Sequence, residues 1–181
     1  MSVLNRRLAA DLDKAFPSFV CEMQAAVFNG ARRWLPTRQD AEDVSQETFV
    51  RAYQALQSYS PDRIAALSLR SWLFTITLNL CRNHARTRGR RPAQVVFGET
   101  DRAGGDDPQS AALEAVSVDE WRERLAALTP RQRDGTVLRH VVGLSYAEIA
   151  EVVGRPEGTV KSDVHRGLSR LRSMMERTQD E

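Results

Sequence analysis

The sequence predicts an all-α protein: two small helical domains joined by a flexible acidic linker, the C-terminal one holding a helix-turn-helix. Apolar residues recur at three-and-four spacing through 14–91 and again through 118–177, the period of amphipathic helices. No stretch alternates polar and apolar residues over the length of a strand. Residues 92–117 break the helical pattern with Pro92, Gly98, Gly104, Gly105 and Pro108. Five acids there (Glu99, Asp101, Asp106, Asp107, Glu114) face one base, Arg102, as in a solvated linker. The division is thus a tail over 1–13, a first domain over 14–91, the linker over 92–117, a second domain over 118–177 and a tail over 178–181.

In the first domain, Phe16, Phe19, Val20, Met23, Val27, Ala31 and Trp34 mark one helix, which Pro36 ends. Asp40 is the expected N-cap of the next, with Glu42 and Asp43 in the first turn, where the helix dipole favours carboxylates. Phe49, Val50, Tyr53 and Leu56 give that helix an apolar side. Ser58 to Ser68 reads as a loop, with Ser60-Pro61-Asp62 its turn signal. A third helix is expected from about Leu69 to Arg88.

In the second domain, Val118, Trp121, Leu125 and Leu128 mark one helix. Thr129-Pro130 with Gln132 starts another, running to about Val142. Ser145 followed by Glu148 is a capping box, Gly154 a left-handed stop, and Pro156 a first-turn residue. Val160, Val164 and Leu168 then recur every four residues and should bury one side of the last helix. Its other side carries Lys161, Ser162, His165 and Arg166, preceded by Arg155 and Thr159. A short helix, a tight turn and a second helix with a cationic face is the layout that enters a DNA major groove. The bland alternative is a helical hairpin with a solvated basic face.

Composition narrows the function classes. The 181 residues carry a net charge of only +2, so no field of the whole protein drives binding. Of 26 basic residues, 24 are Arg, the side chain suited to phosphates and guanine edges, though codon bias gives the same count. Cys21 and Cys81 have no metal-ligand spacing, and His84, His140 and His165 are scattered. Both cysteines read as buried or indifferent thiols. No catalytic pairing, metal site, cofactor site, membrane span or signal-peptide core is evident, so the expectation is a soluble cytoplasmic protein that is not an enzyme.

Two constellations stand out in the first domain. On the third helix, Asn79, Arg82, Asn83 and Arg86 lie at i, i+3, i+4 and i+7, a polar stripe that Arg88, Arg90 and Arg91 extend. Amides bond base edges and arginines neutralise phosphates; a solvated helix C-terminus is the alternative. On the second helix, Asp40, Glu42, Asp43, Gln46 and Glu47 beside Phe49 form an acidic surface that would repel DNA and suits a basic protein surface.

Four strings in order carry a resemblance: Asp40-Ala-Glu-Asp-Val-Ser-Gln-Glu-Thr-Phe-Val-Arg-Ala-Tyr53, Ser71-Trp-Leu-Phe-Thr-Ile-Thr-Leu-Asn79, Thr129-Pro-Arg-Gln-Arg133, and Gly143-Leu-Ser-Tyr-Ala-Glu-Ile-Ala150 with Gly158-Thr-Val-Lys-Ser162. Together they resemble the extracytoplasmic-function (ECF) sigma factors of bacterial RNA polymerase, over 14–91 and 118–175. The helix-turn-helix alone also resembles LuxR-like regulators. The sigma-factor resemblance implies binding to core polymerase, selection of promoters through −35 and −10 elements, and DNA opening. It implies that Asp40, Glu42, Asp43, Gln46, Glu47 and Phe49 dock on the β′ clamp helices. It implies that 58–91, with Arg70, Asn79, Arg82, Asn83, Arg86 and Arg90, takes the −10 element as single strand and captures an unstacked base. It implies that Arg155, Thr159, Lys161, Ser162, Asp163, His165 and Arg166 meet the −35 duplex. Family members are often held inactive by an anti-sigma factor, which no residue here identifies.

Three positions depart from the family. Asn83 stands where many relatives have Asp. Asp163 replaces a common Arg and could accept from a cytosine amine. Gly135 replaces an aliphatic residue, which predicts a weakened helix. The rival readings are a stand-alone LuxR-like transcriptional regulator, predicting tight duplex binding without polymerase, and an adaptor that sequesters a protein partner.

Overall fold

The computed structural model describes residues 3–88 and 120–179, and among them only helices and the turns between them occur. The linker, Arg90 and the last residues of the chain lie outside the described residues. The first domain comprises α1 (Val3–Ala10), α2 (Leu12–Trp34), α3 (Arg38–Gln57), α4 (Pro61–Ala66) and α5 (Leu69–Arg88). The second comprises α6 (120–126), α7 (Pro130–His140), α8 (Tyr146–Val153) and α9 (Glu157–Gln179).

Most boundaries follow the expected chemistry. Asp11 caps α2, its carboxylate accepting from the Lys14 N–H. The α7 capping box joins Thr129 and Gln132, and the α8 box joins Ser145 and Glu148. Gly154 ends α8 in the left-handed region at φ 64°.

Five expectations need correction. The supposed tail contains α1, whose Leu8 and Asn5 are buried against the rest of the domain. An eight-residue helix is unstable alone and forms here through packing, which local periodicity does not report. The supposed loop 58–68 contains α4, capped by Ser60 and begun by Pro61. Thr37, not Asp40, caps α3: its hydroxyl accepts the Asp40 N–H at 3.0 Å, placing Asp40 inside the first turn. The helix begun at Thr129 stops at His140 rather than Val142, because the chain turns toward Gly143 at φ 80°.

Leu168 is the fifth. It is 39% exposed, and the buried line of α9 runs through Val160, Val164, Gly167 and Leu171. Steps of four advance by 400° per step, so by Leu168 the row has drifted about 80° off the buried face, and a step of three restores it.

The two domains pack together, α5 lying against α8 and α2 touching α7. Phe19, Leu73 and Phe74 of the first domain share one apolar core with Leu138, Val142, Leu144 and Ile149 of the second. Trp34 packs against that core, against the Leu35–Val44–Leu80 cluster and against the Leu125–Leu128–Val137–Leu171 cluster. Cys81 is buried, its thiol pushed up to about 12 by burial and then by the nearby Asp134 charge. Cys21 is exposed.

Candidate polymerase- and DNA-binding surfaces

α3 turns Ala41, Val44, Thr48, Ala52 and Leu56 into the core. Rotation by 3.6 residues per turn then puts Asp43, Gln46 and Glu47 on the exposed side. Asp40 and Glu42 are half-buried. All four acids here meet a local partner: Glu42 with Arg38 at 2.7 Å, Asp43 with the Gln39 amide at 2.9 Å, Glu47 with Arg51 at 2.6 Å, and Asp40 with His84 at 3.2 Å. Exposed pairs of this kind contribute little to stability and exchange readily for another partner. Phe49 faces inward, edge-on to Phe19 with centroids 6.4 Å apart. The structure therefore places it in the packing of the domain, beneath the acidic surface.

α5 buries Leu73, Phe74, Thr77, Leu78, Leu80 and Cys81. Asn79, Arg82, Asn83 and Arg86 are all exposed, the continuous stripe that their spacing predicts. Arg86 Nη2 donates to the side-chain amide oxygen Asn83 Oδ1 at 3.2 Å. Arg82 Nη2 donates to Asp134 Oδ2 of α7 at 2.7 Å. Burial raises the Asp134 pKa above its ordinary value, while the Arg82 hydrogen bond and charge oppose that rise. Arg70 stands at the other end of the helix and donates to the Val142 carbonyl at 3.0 Å.

On α9, Thr159, Lys161, Ser162, His165 and Arg166 are exposed and Val160 and Val164 are buried, as the period requires. Tyr146, Gly158, Lys161, Ser162, His165 and Arg166 line an open cleft of about 490 Å³. Arg155 and Asp163 do not join this face. Arg155 Nη1 lies 2.5 Å from Asp163 Oδ2, and their side chains are only 19% and 14% exposed. Asp163 is therefore committed to the turn before α9, not presented to a cytosine. At Gly135 a Cβ would lie 2.9 Å from Val164 Cγ2, so the missing side chain lets α9 approach α7.

Several side chains missed by sequence reasoning belong to these surfaces. Arg63 stacks over the Tyr59 ring at 3.6 Å, and Tyr59 meets Trp72 edge-on at 6.1 Å, in the segment ahead of the polar stripe. Tyr146 lies under both Lys161 Nζ, at 5.6 Å, and the Arg139 guanidinium, at 4.9 Å, and so orients the lysine. The available signal was an aromatic within reach of a cation, which helical spacing does not mark across separate elements.

Among the described residues, no helix is long and apolar enough to cross a membrane, and no group of His, Cys, Asp and Glu could hold a metal ion.

The model of Sigma-70 region 2 matches residues 19–91, and that of Sigma-70, region 4 matches 119–171. The ECF RNA polymerase sigma factor SigE of Mycolicibacterium smegmatis is 34% identical over 151 residues, covering 82% of this chain and 57% of that protein's length. The RNA polymerase sigma-H factor of Pseudomonas aeruginosa is 33% identical over 162 residues, covering 84% and 82%. The ECF RNA polymerase sigma-E factor of Escherichia coli K12 is 31% identical over 173 residues, covering 91% and 88%. The solved structure of CnrH in complex with the cytosolic domain of CnrY has a TM-score of 0.72 at 28% identity, covering 96% of both chains. The sigma factor RpoE of Bartonella quintana, solved with the anti-sigma factor NepR, shares the fold at a TM-score of 0.68 and 24% identity, covering 90% and 98%. The chain belongs to the ECF sigma factors of the sigma-70 family, which serve transcription initiation.

Proposed function

We propose that this chain binds core RNA polymerase through the acidic side of α3, takes the −10 strand along α5 and reads the −35 duplex with α9. The observation that carries this is the pairing, in one chain, of two separate exposed polar faces of different chemistry. The α5 face mixes amides with arginines, as a partly single-stranded ligand requires. The α9 face is a cationic helix side over a buried apolar one, as a major-groove helix requires. The Arg63–Tyr59–Trp72 cluster supplies stacking surfaces beside α5 on which an unstacked base could rest.

The polymerase supplies the chemistry; the sigma chain contributes binding, selection and strand separation in the cytoplasm. Each domain binds DNA weakly by itself, and tethering on the polymerase raises its effective concentration. An anti-sigma factor fits the same reading, since the similar sigma factor RpoE was solved with the anti-sigma factor NepR and the similar CnrH with the cytosolic domain of CnrY. A LuxR-like regulator leaves the Sigma-70 region 2 match at 19–91 without a role.

The test is run-off transcription with bacterial core polymerase on promoter fragments, with and without the protein. Start sites that depend on the protein support the reading. No transcript, together with tight binding of the protein alone to duplex DNA, would replace it with the stand-alone regulator.

A further inference from the structure

Leu168, turned off the buried face of α9, rims a cavity of about 690 Å³ together with Val141 and Met175. The cavity lies between the end of α2 and helices α6, α7 and α9, and Leu125, Val137 and Leu171 make its buried apolar wall. It shares no lining residue with the open cleft formed by Lys161, Ser162, His165 and Arg166.

Two polar groups of the lining lack a partner. Arg33, half-buried in the last turn of α2, pairs with no carboxylate among the described residues. Burial, and then the like charge of Arg32, pushes its guanidinium below the ordinary arginine value. Thr136 is 5% exposed, and its buried hydroxyl has no hydrogen-bond partner among the described residues. A desolvated cation without a counter-charge and an orphaned hydroxyl each cost stability, and a ligand that meets them relieves both.

We propose that this cavity binds a small amphiphilic anion: a single-chain carboxylate whose hydrocarbon tail lies on the Leu125–Val137–Leu171 wall and whose head pairs with Arg33. The site goes beyond promoter recognition and does not depend on it.

Charge and shape select this class. Among the described residues of the lining, Arg33 and Arg172 face one acid, Glu176, so a monoanion balances the surplus. Burial, and then Arg139, lowers the His140 pKa, which keeps that imidazole neutral at pH 7 and leaves the arginines to hold the charge. A carboxylate matches the guanidinium fork with two oxygens to two N–H groups. The volume falls in the range of about 300–1,000 Å³ usual for small-molecule sites, which are apolar with a few placed polar groups. A stable protein interface buries about 800 Å² on each partner. Here the exposed apolar side chains of the lining are Val141, Leu168 and Met175, which offer far less.

The test is a methyl NMR titration of the full-length chain with decanoate, and with decanol as its uncharged match. One decanoate per chain should shift the methyl signals of Val137, Leu168 and Met175 and bind at least about tenfold tighter than decanol. Arg33→Gln should remove that advantage and leave the decanol affinity unchanged. Leu168→Trp, which fills the mouth, should weaken both ligands at least about tenfold. Both positions stand outside the fully buried core, so neither substitution disturbs it. Equal affinity for decanoate and decanol in the wild type would overturn the anion assignment. Shifts spread over the surface and insensitive to Leu168→Trp would mean an adventitious amphiphile only, and would overturn the site. No shift with decanoate, but loss of the Leu168 and Met175 signals with phosphatidylglycerol vesicles or core polymerase, would replace the ligand by a membrane or a protein partner.

Discussion

Asn5 Nδ2 lies 2.7 Å from the carbonyl oxygen of Leu67, 62 residues along the chain. The same amide reaches the carbonyls of Ile64 at 3.2 Å and Ala65 at 3.3 Å. These groups lie at the C-terminal end of α4, a six-residue helix whose Ile64 carbonyl also accepts the Leu67 N–H at 3.2 Å. A side chain of α1 therefore does the work of a C-cap and fixes the chain just ahead of Arg70. Asn5→Ala should destabilise the protein by about 1–3 kcal/mol, the usual consequence of orphaning buried acceptors. Urea denaturation measures the loss, and amide hydrogen exchange over 64–70 should show it concentrated there. Asn5→Asp should be worse, because a carboxylate would face carbonyls. Wild-type stability in both variants would show that the amide is not a cap.

Much of this fold was legible because its determinants are local. Thr129, Ser145 and Gly154 announce helix ends through chemistry contained within four residues, and each does so in the structure. The exposed stripe Asn79–Arg82–Asn83–Arg86 follows from helical spacing alone. What escaped is set at a distance. α1 exists because α2 and α4 cover it, and Asp163, on the helix side that the sequence marks for bases, is held by Arg155, eight residues earlier. Gly135 appeared as a missing side chain because nothing in the sequence reports how near Val164 comes.

Asp134 gives a pH dependence opposite to that of an ordinary ion-paired carboxylate. Burial raises its folded-state pKa above the ordinary aspartate value, with Arg82 opposing only part of the effect. Folding therefore penalises the ionised form. The penalty is fully present above the folded pKa and is relieved as pH falls through it toward the unfolded value. Asp134→Asn removes the titration, and the Arg82 side chain left behind is 49% exposed and remains solvated. The variant should be at least as stable as the wild type at neutral pH, with its advantage shrinking toward pH 4. Urea midpoints at the two pH values decide this. A variant less stable than the wild type at neutral pH would mean that the ion pair outweighs burial.

Gly167 reverses a familiar preference. In a helix interior, Gly to Ala ordinarily gains about 1 kcal/mol. A Cβ at Gly167 would stand 2.5 Å from Thr136 Oγ1 and 3.3 Å from the Gln132 carbonyl oxygen, so α9 would have to move off α7. Gly167→Ala should cost about 1–3 kcal/mol through overpacking despite its better propensity. Adding Thr136→Ala should recover part of that loss, a non-additive pair in a double-mutant cycle. Additive effects in thermal denaturation would place the two residues out of contact.

Salt dependence separates the residues of the α9 surface. Lys161 and Arg166 are exposed on the cleft side, where a phosphate can displace water from each. Each phosphate contact contributes a slope of about −0.9 to the log–log dependence of affinity on salt. Replacing both with Ala should weaken −35 duplex binding by the polymerase-bound protein and flatten its slope by up to about two such contacts. Asp163 makes no such contact, because its carboxylate is spent on Arg155 in the turn after Gly154. Asp163→Asn should therefore leave the slope unreduced while loosening the start of α9. Titration of −35 duplex across a salt series with both variants gives the comparison. A slope flattened by Asp163→Asn as much as by the double replacement would show that the Arg155–Asp163 pair belongs to the DNA face after all.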